Sequence, residues 1–270
     1  MCATPIGNLE DVSLRLIRIL RDVDLIAAED TRTTKKLLQK HGILKKNTIS
    51  YHDFSGESRI RYIIETLEAG KNIALVSESG TPAIQDPGFK IIQQCIEKNI
   101  PMTVIPGPNA AVSALVLSGL PADNFLFAGF LPKAKAKMKN KLMELALFPF
   151  TLIFYESPNR IKTLIEELIG KFGDRKAGLV REITKIYEET IRGSLSTILS
   201  EIGQRKIKGE IVLVVEGYKK ELIRNFSEED ITRELIKLLK QGISKKSALK
   251  VILSRYDIDK QKLYNMATKI

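Results

Sequence analysis

Residues 72–88 read Asn72-Ile-Ala-Leu-Val-Ser-Glu-Ser-Gly-Thr-Pro-Ala-Ile-Gln-Asp-Pro-Gly88. The compact apolar run at the front follows Gly70, is bounded by polar residues and is too short for a helix, so it reads as a buried strand. Residues 77–88 are rich in glycine, proline and small polar side chains, which marks a loop. A helical pattern then runs from Gly88 to Asn99. Strand, glycine-rich loop and helix in succession are the repeating unit of a parallel α/β sheet, which carries its ligand loops at the carboxyl edge.

The same alternation extends in both directions, from Leu9 to about Lys220. Upstream, Leu9–Leu20 has helical spacing, Asp24–Ala28 reads as a strand and Thr31–Lys40 as a helix. Downstream, Met102–Ile105 reads as a strand and Asn109–Leu117 as a helix of small residues. Gly119–Phe150 looks like a change of unit, punctuated by Pro121, Gly129 and Pro132. A second unit resumes with the strand Thr151–Tyr155. Ser157 is expected to cap a helix with Pro158 at its first position, and Ile161, Leu164, Ile165 and Leu168 mark that helix's buried face. Ala177–Arg181, Ile186–Ile191 and Glu210–Glu216 read as further strands. In the tail, Ser227 and Asp230 suggest a capping box ahead of Ile231, Leu235 and Leu238, and Ser244 and Asp259 can start two more helices. The expected organisation is an α/β domain over 1–118, a second α/β domain over 119–222 that completes a cleft, and a helical appendix over 223–270.

Composition limits the function. With 44% apolar and 28% charged residues, the 270-residue chain has ordinary globular proportions, which excludes disorder throughout. No apolar run approaches the roughly 18 residues of a membrane span. Pro5 and Gly7 come too early for a secretory leader. Two cysteines, Cys2 and Cys95, cannot form a disulfide framework, so a reducing cytoplasm is expected. The net charge of +11 favours an anionic partner, and 13 Lys or Arg against 7 Asp or Glu place +6 of it in residues 219–270. Neither G-x-G-x-x-G nor a P-loop motif occurs. His41 and His52 lack metal-ligand spacing and the cysteines form no C-x-x-C, so no metal is expected.

Four loops stand out: Ala3–Asn8, Glu29–Arg32, Ser77–Gly88 and Pro106–Asn109. Three follow strands and the first opens a helix. Alone, each is a tight β–α connection. Together they fall on one sheet edge and suggest a cleft lined by backbone N–H and C=O groups, suited to a nucleoside.

These loops belong to an ordered series: A-T-P-I-G-N-L-E-D (3–11), A-E-D-T-R (28–32), S-x-S-G-T-P-x-I-x-D-P-G (77–88), I-P-G-P-N-A (105–110), S-G-L-P (118–121), F-x-G-F-L-P (127–132), F-Y-E-S-P-x-R (154–160), R-E-I-T-K (181–185) and G-E-I-V-L-V-V-E-G (209–217). The series resembles the ribosomal RNA small subunit methyltransferase I family, within the tetrapyrrole methylase fold. The resemblance implies a two-domain α/β enzyme, usually a homodimer. It would use S-adenosyl-L-methionine to 2′-O-methylate a cytidine in the decoding region of 16S rRNA. It also implies cofactor contacts at Pro5, Gly7, Ser79, Gly80, Thr81, Ile84, Pro106, Gly107, Asn109, Ala110, Tyr155, Glu156 and Ser157, with the loop of Glu182 closing over them. The chain departs from the family in having only Met1 and Cys2 where an apolar strand usually precedes A-T-P-I-G. It also carries Glu78, Ser79, Ala83 and Gln85 in the third block.

A sulfonium methyl is already activated, so such an enzyme must chiefly align the attacking oxygen. A 2′-hydroxyl is a weak acid and benefits from a base or a cation nearby. Glu29, Asp30, Arg32 and Lys185 offer both, although Arg32 with Glu29 or Asp30 also fits a structural ion pair. Lys133, Lys135, Lys137, Lys139 and Lys141 alternate without an acid and suit RNA phosphates. Two other functions remain open at this point: methylation of a tetrapyrrole (precorrin or uroporphyrinogen type), and non-catalytic rRNA binding during ribosome assembly.

Overall fold

A computed structural model describes residues 1–52, 55–203, 205–219, 225–240, 242–253 and 255–268. The chain divides into two units, Met1–Gly217 and Tyr218–Ile270.

The first unit begins with α1 (Leu14–Asp22), β1 (Leu25–Ala28), α2 (Thr31–Lys40), β2 (Thr48–Ser50), α3 (Glu57–Glu68), β3 (Ile73–Val76), α4 (Phe89–Glu97) and α5 (Ala110–Ser118). Its first sheet has the order β2-β1-β3, all parallel. Side-chain alternation decides the faces. Ile26, Ala28, Ala74 and Val76 pack with Leu16, Leu20, Leu37 and Leu38 of α1 and α2. Ala27 and Leu75 pack with Ile60, Ile63, Ile64 and Ile91 of α3 and α4. Both faces are covered, which is why these strands read as unbroken apolar runs.

Short as it is, the segment before A-T-P-I-G enters this sheet. The Cys2 N–H donates to the Leu75 carbonyl at 2.9 Å, Ala3 to Ile105 at 3.1 Å and Ile105 to Met1 at 2.8 Å. Residues 1–3 thus lie parallel between β3 and residue 105. The strand expected over Met102–Ile105 reduces to a bridge at Ile105, and Met102 and Val104 are exposed.

The second sheet is built from β4 (Phe125–Phe130), β5 (Thr151–Glu156), β6 (Lys176–Arg181), β7 (Glu189–Ser194) and β8 (Ile211–Val215). Between these strands run α6 (Lys135–Leu145), α7 (Ile161–Phe172) and α8 (Leu195–Gly203). The order is β4-β5-β8-β6-β7, with β4 parallel to β5 and the other pairs antiparallel. One face packs Leu152, Phe154, Leu179 and Leu213 against Leu142, Leu164, Ile165 and Ile198 of the three helices. The other packs Ile153, Val180, Val212 and Val214 against Ala111, Ala114 and Leu115 of α5. Small residues allow that approach: a β-carbon at Gly178 would lie 2.8 Å from Cβ of Ser118. Because α5 serves the second sheet, the division expected at 118/119 falls inside one compact unit, between α5 and β4.

Several elements differ from the sequence reading. Ser157 does not cap α7. A turn intervenes, in which the Arg160 and Ile161 N–H groups both donate to the Ser157 carbonyl, and α7 starts at Ile161. The strand expected at Ile186–Ile191 begins three residues later, because Glu182 and Thr184 have φ of 51° and 65° and turn the chain first. β2, α3, β4, α6 and α8 were not foreseen, and β4 carries a register shift between Phe127 and Gly129.

The second unit contains α9 (Glu228–Lys240), α10 (Lys245–Leu253) and α11 (Lys260–Thr268) around their own core of Ile231, Leu235, Leu249, Ile252 and Leu263. The three expected helix starts are present. Ser227 and Asp230 exchange hydrogen bonds across the first turn, Ser247 N–H donates to Ser244 Oγ, and Lys262 N–H donates to Asp259. The expected boundary at 222/223 lies outside the described residues. Among the described residues no helix is long and apolar enough to cross a membrane.

Candidate active site

Within the first unit a cavity of about 370 Å³ lies between the two sheets, within the range of small-ligand pockets, about 300–1,000 Å³. The first half contributes Ile6, residues 79–81 and 84–86, Asn109 and Ala110. The second contributes Phe130, residues 155–158, Ile183 and residues 209–212.

The first wall is shaped by backbone. Thr4 and Gly80 exchange N–H···O bonds of 2.8 and 3.0 Å, and the Ser77 hydroxyl donates to the Gly80 carbonyl at 3.1 Å. Gly80 has a φ of 80°, a conformation that glycine adopts without strain. Ala83 and Gln85 hold φ of 68° and 65° in the same loop. Such strained non-glycine residues gather at ligand sites. Asn109 caps α5 by accepting from the Val112 N–H at 3.1 Å, which fixes the loop before it.

Nine of the residues expected to hold cofactor line the cavity: Ser79, Gly80, Thr81, Ile84, Asn109, Ala110, Tyr155, Glu156 and Ser157. Pro5, Gly7, Pro106, Gly107 and Glu182 do not. The glycines among these allow close packing of protein on protein. A β-carbon at Gly7 would lie 2.6 Å from Cγ of Lys185 and 2.9 Å from the Ile183 carbonyl. One at Gly107 would lie 3.0 Å from Cβ of Ala3. Gln85, Asp86, Phe130, Pro158, Gly209, Glu210, Ile211 and Val212 also line it without having been named as cofactor contacts, as do Ile6 and Ile183 from the loops of Pro5–Gly7 and Arg181–Lys185. Glu156 pairs with Ile211 across antiparallel β5 and β8, so the start of β8 meets the end of β5 at the cavity. The G-E-I-V block carried the signal, but only its antiparallel direction places that end at the site.

None of Glu29, Asp30, Arg32 and Lys185 lines the cavity. Glu29 accepts from the Glu78 N–H at 3.0 Å. Asp30 is the N-cap of α2, accepting from the Arg32 and Thr33 N–H groups, and is ion-paired to Arg32 at 2.7 Å. The Arg32 side chain and backbone bonds bring the Asp30 carboxyl down to about 2. A carboxylate so stabilised is a poor base at neutral pH. Lys185 sits closer to the site, bridging Glu182 and the cavity residue Glu210 at 2.9 Å each. Burial would lower the Lys185 ammonium, but the two carboxylates outweigh it and raise its pKa. Burial would likewise raise Glu182, yet the Glu210 N–H and Lys185 hold it below the usual carboxylate range. Burial, opposed by an Ala111 backbone bond and aided by Asp86 and Glu210, pushes the Tyr155 phenol up to about 12.

The expected lysine row becomes part of a helix. Met138, Leu142 and Leu145 bury one stripe of α6, which sends Lys135 and Lys139 to one flank and Lys137 and Lys141 to the other. Lys139 is ion-paired to Glu167 at 3.5 Å and Lys141 to Glu144 at 2.9 Å. Lys133 precedes the helix and is exposed.

Residues 2–199 match the tetrapyrrole (corrin/porphyrin) methylases, which sets the class of protein. The uroporphyrin-III-C-methyltransferase structure from Thermus thermophilus superposes with a TM-score of 0.56 at 19% identity, covering 80% of this chain and 92% of that one. That likeness establishes the fold. Ribosomal RNA small subunit methyltransferase I of Halalkalibacterium halodurans is 41% identical over 98% of this chain and 93% of its own length. The Bacillus subtilis protein of the same name is 40% identical over 97% and 91%. The chain belongs to the ribosomal RNA small subunit methyltransferase I family, and it is a methyltransferase.

Proposed function

We propose that this methyltransferase transfers a methyl group from S-adenosyl-L-methionine, bound in the cavity between the two sheets, to a cytidine ribose 2′-hydroxyl in the decoding region of 16S rRNA. The observation that carries this reading is the lining of the cavity. It is largely apolar and offers the Asp86, Glu156 and Glu210 carboxylates, with no lysine or arginine among its described lining residues. Such walls suit an adenosine body bearing a cationic sulfonium and ammonium.

The cofactor, when bound, supplies an activated methyl group. Ser79, Gly80, Thr81, Ile84, Asn109 and Ala110 form the wall that shapes its site, facing Tyr155, Glu156 and Ser157. Lys185, kept charged by Glu182 and the cavity residue Glu210, would supply the cation that stabilises negative charge developing on the ribose oxygen. Asp30 and Arg32 serve the start of α2, so the chemical step is assigned to the Lys185 cluster and not to the A-E-D-T-R block.

The rRNA docks on basic surface that includes Lys133, Lys135 and Lys137, and the 219–270 segment supplies further positive charge. The protein acts in the cytoplasm, where its substrate is. A homodimer is supported by apolar residues left in solvent: Val112 and Val116, one turn apart on α5, and Ile186 and Tyr187 in the loop before β7. Tetrapyrrole methylation is the less supported reading: beyond the class match over residues 2–199, the solved structures that carry that activity are 14–19% identical, against 40–41% for the rRNA methyltransferases.

Labelled S-adenosyl-L-methionine incubated with small subunits, followed by nuclease mapping, tests the reading. Label in a single 16S cytidine ribose is expected. Label confined to a base or to a tetrapyrrole acceptor, or no calorimetric binding of the cofactor, would overturn it.

A further inference from the structure

Strand β4 changes face on its way to the cavity. Leu126 pairs with Leu152 and Phe127 with Ile153, but Gly129 pairs with Phe154 and Phe130 with Tyr155, which leaves Ala128 as the extra residue of a bulge. Leu126 and Ala128 pack on the core beneath α6, α7 and α8. Unbroken alternation would send Phe130 to that same face. The bulge turns it over to the face of Phe127, Ile153 and Tyr155. Bulges are rare between parallel strands, and they gather next to active sites, where they re-aim a side chain. This one also takes a φ of 62° at Gly129. A β-carbon there would lie 2.7 Å from Cδ of Gln85, so the loop of the first half closes directly on the bulge.

The outcome is an aromatic ring in solvent. Phe130 lines the cavity yet is 54% exposed, which places it at the mouth. Its ring meets Tyr155 in a T-shaped contact with centroids 5.5 Å apart, and Phe127 holds Tyr155 from its other side in sequence at 4.9 Å. Held there, Phe130 forgoes the burial that the helix-covered face would have given it.

We propose that Phe130 is the platform on which the base of the acceptor cytidine stacks while its 2′-hydroxyl enters the cavity. The inference rests on the function proposed above and adds how the acceptor is held. A nucleotide drawn out of its strand loses its stacking neighbours, and an aromatic face replaces one of them. Lys133 follows three residues later and is exposed, a cation for the adjoining phosphate. Stacking tolerates any base, so the ring positions the acceptor and leaves the choice of base to other groups.

Single-turnover methylation of small subunits by the parent, Phe130→Leu and Phe130→Tyr tests this, with S-adenosylhomocysteine affinity measured on each by calorimetry. Leucine keeps apolar bulk and removes the π-face. Phe130→Leu is expected to raise the subunit concentration for half-maximal rate roughly tenfold, with cofactor-product affinity within about twofold of the parent. Phe130→Tyr should restore the parent behaviour. A second arm uses subunits reconstituted with 16S rRNA whose acceptor nucleotide keeps its ribose but lacks its base. The parent should lose on that substrate about what Phe130→Leu loses on the natural one, and Phe130→Leu should lose little more. Losses that multiply would mean that base and ring do not meet and would overturn the proposal. So would a Phe130→Leu enzyme equal to the parent, or a tyrosine variant as impaired as the leucine one. A fall in S-adenosylhomocysteine affinity that matches the fall in methylation would put the ring on the cofactor and overturn it too. Should Phe130→Leu not fold, the parent still decides: equal methylation with and without the acceptor base rules the platform out. A parent that labels no natural subunit would overturn the function proposed above, and this inference with it.

Discussion

The parallel sheet reaches the cavity only through the loops that follow its strands, whereas the mixed sheet reaches it through the end of β5 and the start of β8 at once. The first half offers backbone held in unusual conformations, at Gly80, Ala83 and Gln85. The second offers side chains with charge or hydroxyl groups, at Tyr155, Glu156 and Glu210. The first side thus shapes the site and adds one carboxylate, Asp86, whereas the second brings two, Glu156 and Glu210, so variants on the two sides should fail differently.

Gly7 belongs to the first half but packs on the Ile183–Lys185 loop of the second, so disturbing it should damage both. Gly7→Val is expected to lower single-turnover methylation a hundredfold or more, with the urea midpoint falling far less than the rate implies. Transfer at the parent rate would show that the halves do not depend on this packing. Removing the cation alone should cost less. Lys185→Ala should slow transfer by tens of fold, about 2 kcal/mol of barrier, while cofactor affinity stays within about threefold. A rate unchanged in stopped-time assays would take the chemistry away from the second half.

The basic helix tests a weaker effect. Exchanging Lys133, Lys135, Lys137, Lys139 and Lys141 for glutamine should flatten the salt dependence of rRNA binding. The expected change is about 2–3 log units per log unit of salt, at about 0.7–0.9 for each phosphate that is no longer neutralised. Two of the five already answer Glu167 and Glu144, so a fall that needs all five lysines would mean that those ion pairs open on RNA. The smallest effect on catalysis is expected at Asp30. Asp30→Asn should transfer methyl groups within about twofold of the parent yet be less stable at neutral pH. The folded carboxyl lies near 2, below its ordinary value, so its stabilisation is present above about pH 4 and is lost as pH falls through 2. Urea midpoints of variant and parent should converge over that window. Midpoints that stay parallel would remove Asp30 from the stability of α2.

The same contrast explains what the sequence made legible. Asn72–Gly88, Thr31–Lys40 and Asn109–Leu117 could be read because a parallel sheet repeats one grammar: apolar strand, glycine-rich loop, capped helix. The first wall followed directly. In the second wall only Tyr155, Glu156 and Ser157 were expected, because strand polarity is not written locally. Nothing within Gly209–Val212 says that its beginning, not its end, faces the site; only pairing with β5 decides that. The lysine alternation did not reveal α6 for a related reason, since a spacing of two is not a helical period and the helix divides the row between two flanks. Gly107 read as a ligand neighbour because a close approach of backbone looks alike in sequence whether it admits a cofactor or Ala3.

Ile105 touches Met1 although roughly a hundred residues separate them along the chain, and long separations of this kind slow folding. The loop they close has an entropic cost that precedes any return from its hydrogen bonds. On a growing chain, the edge of β3 next to Leu75 stays open until residues 1–3 dock there, and Ile105 can add only afterwards. An open edge invites pairing with the wrong neighbour. The Pro106–Asn109 wall therefore depends on the docking of residues 1–3, so binding of the cofactor reports that this long-range closure is complete and not collapse alone.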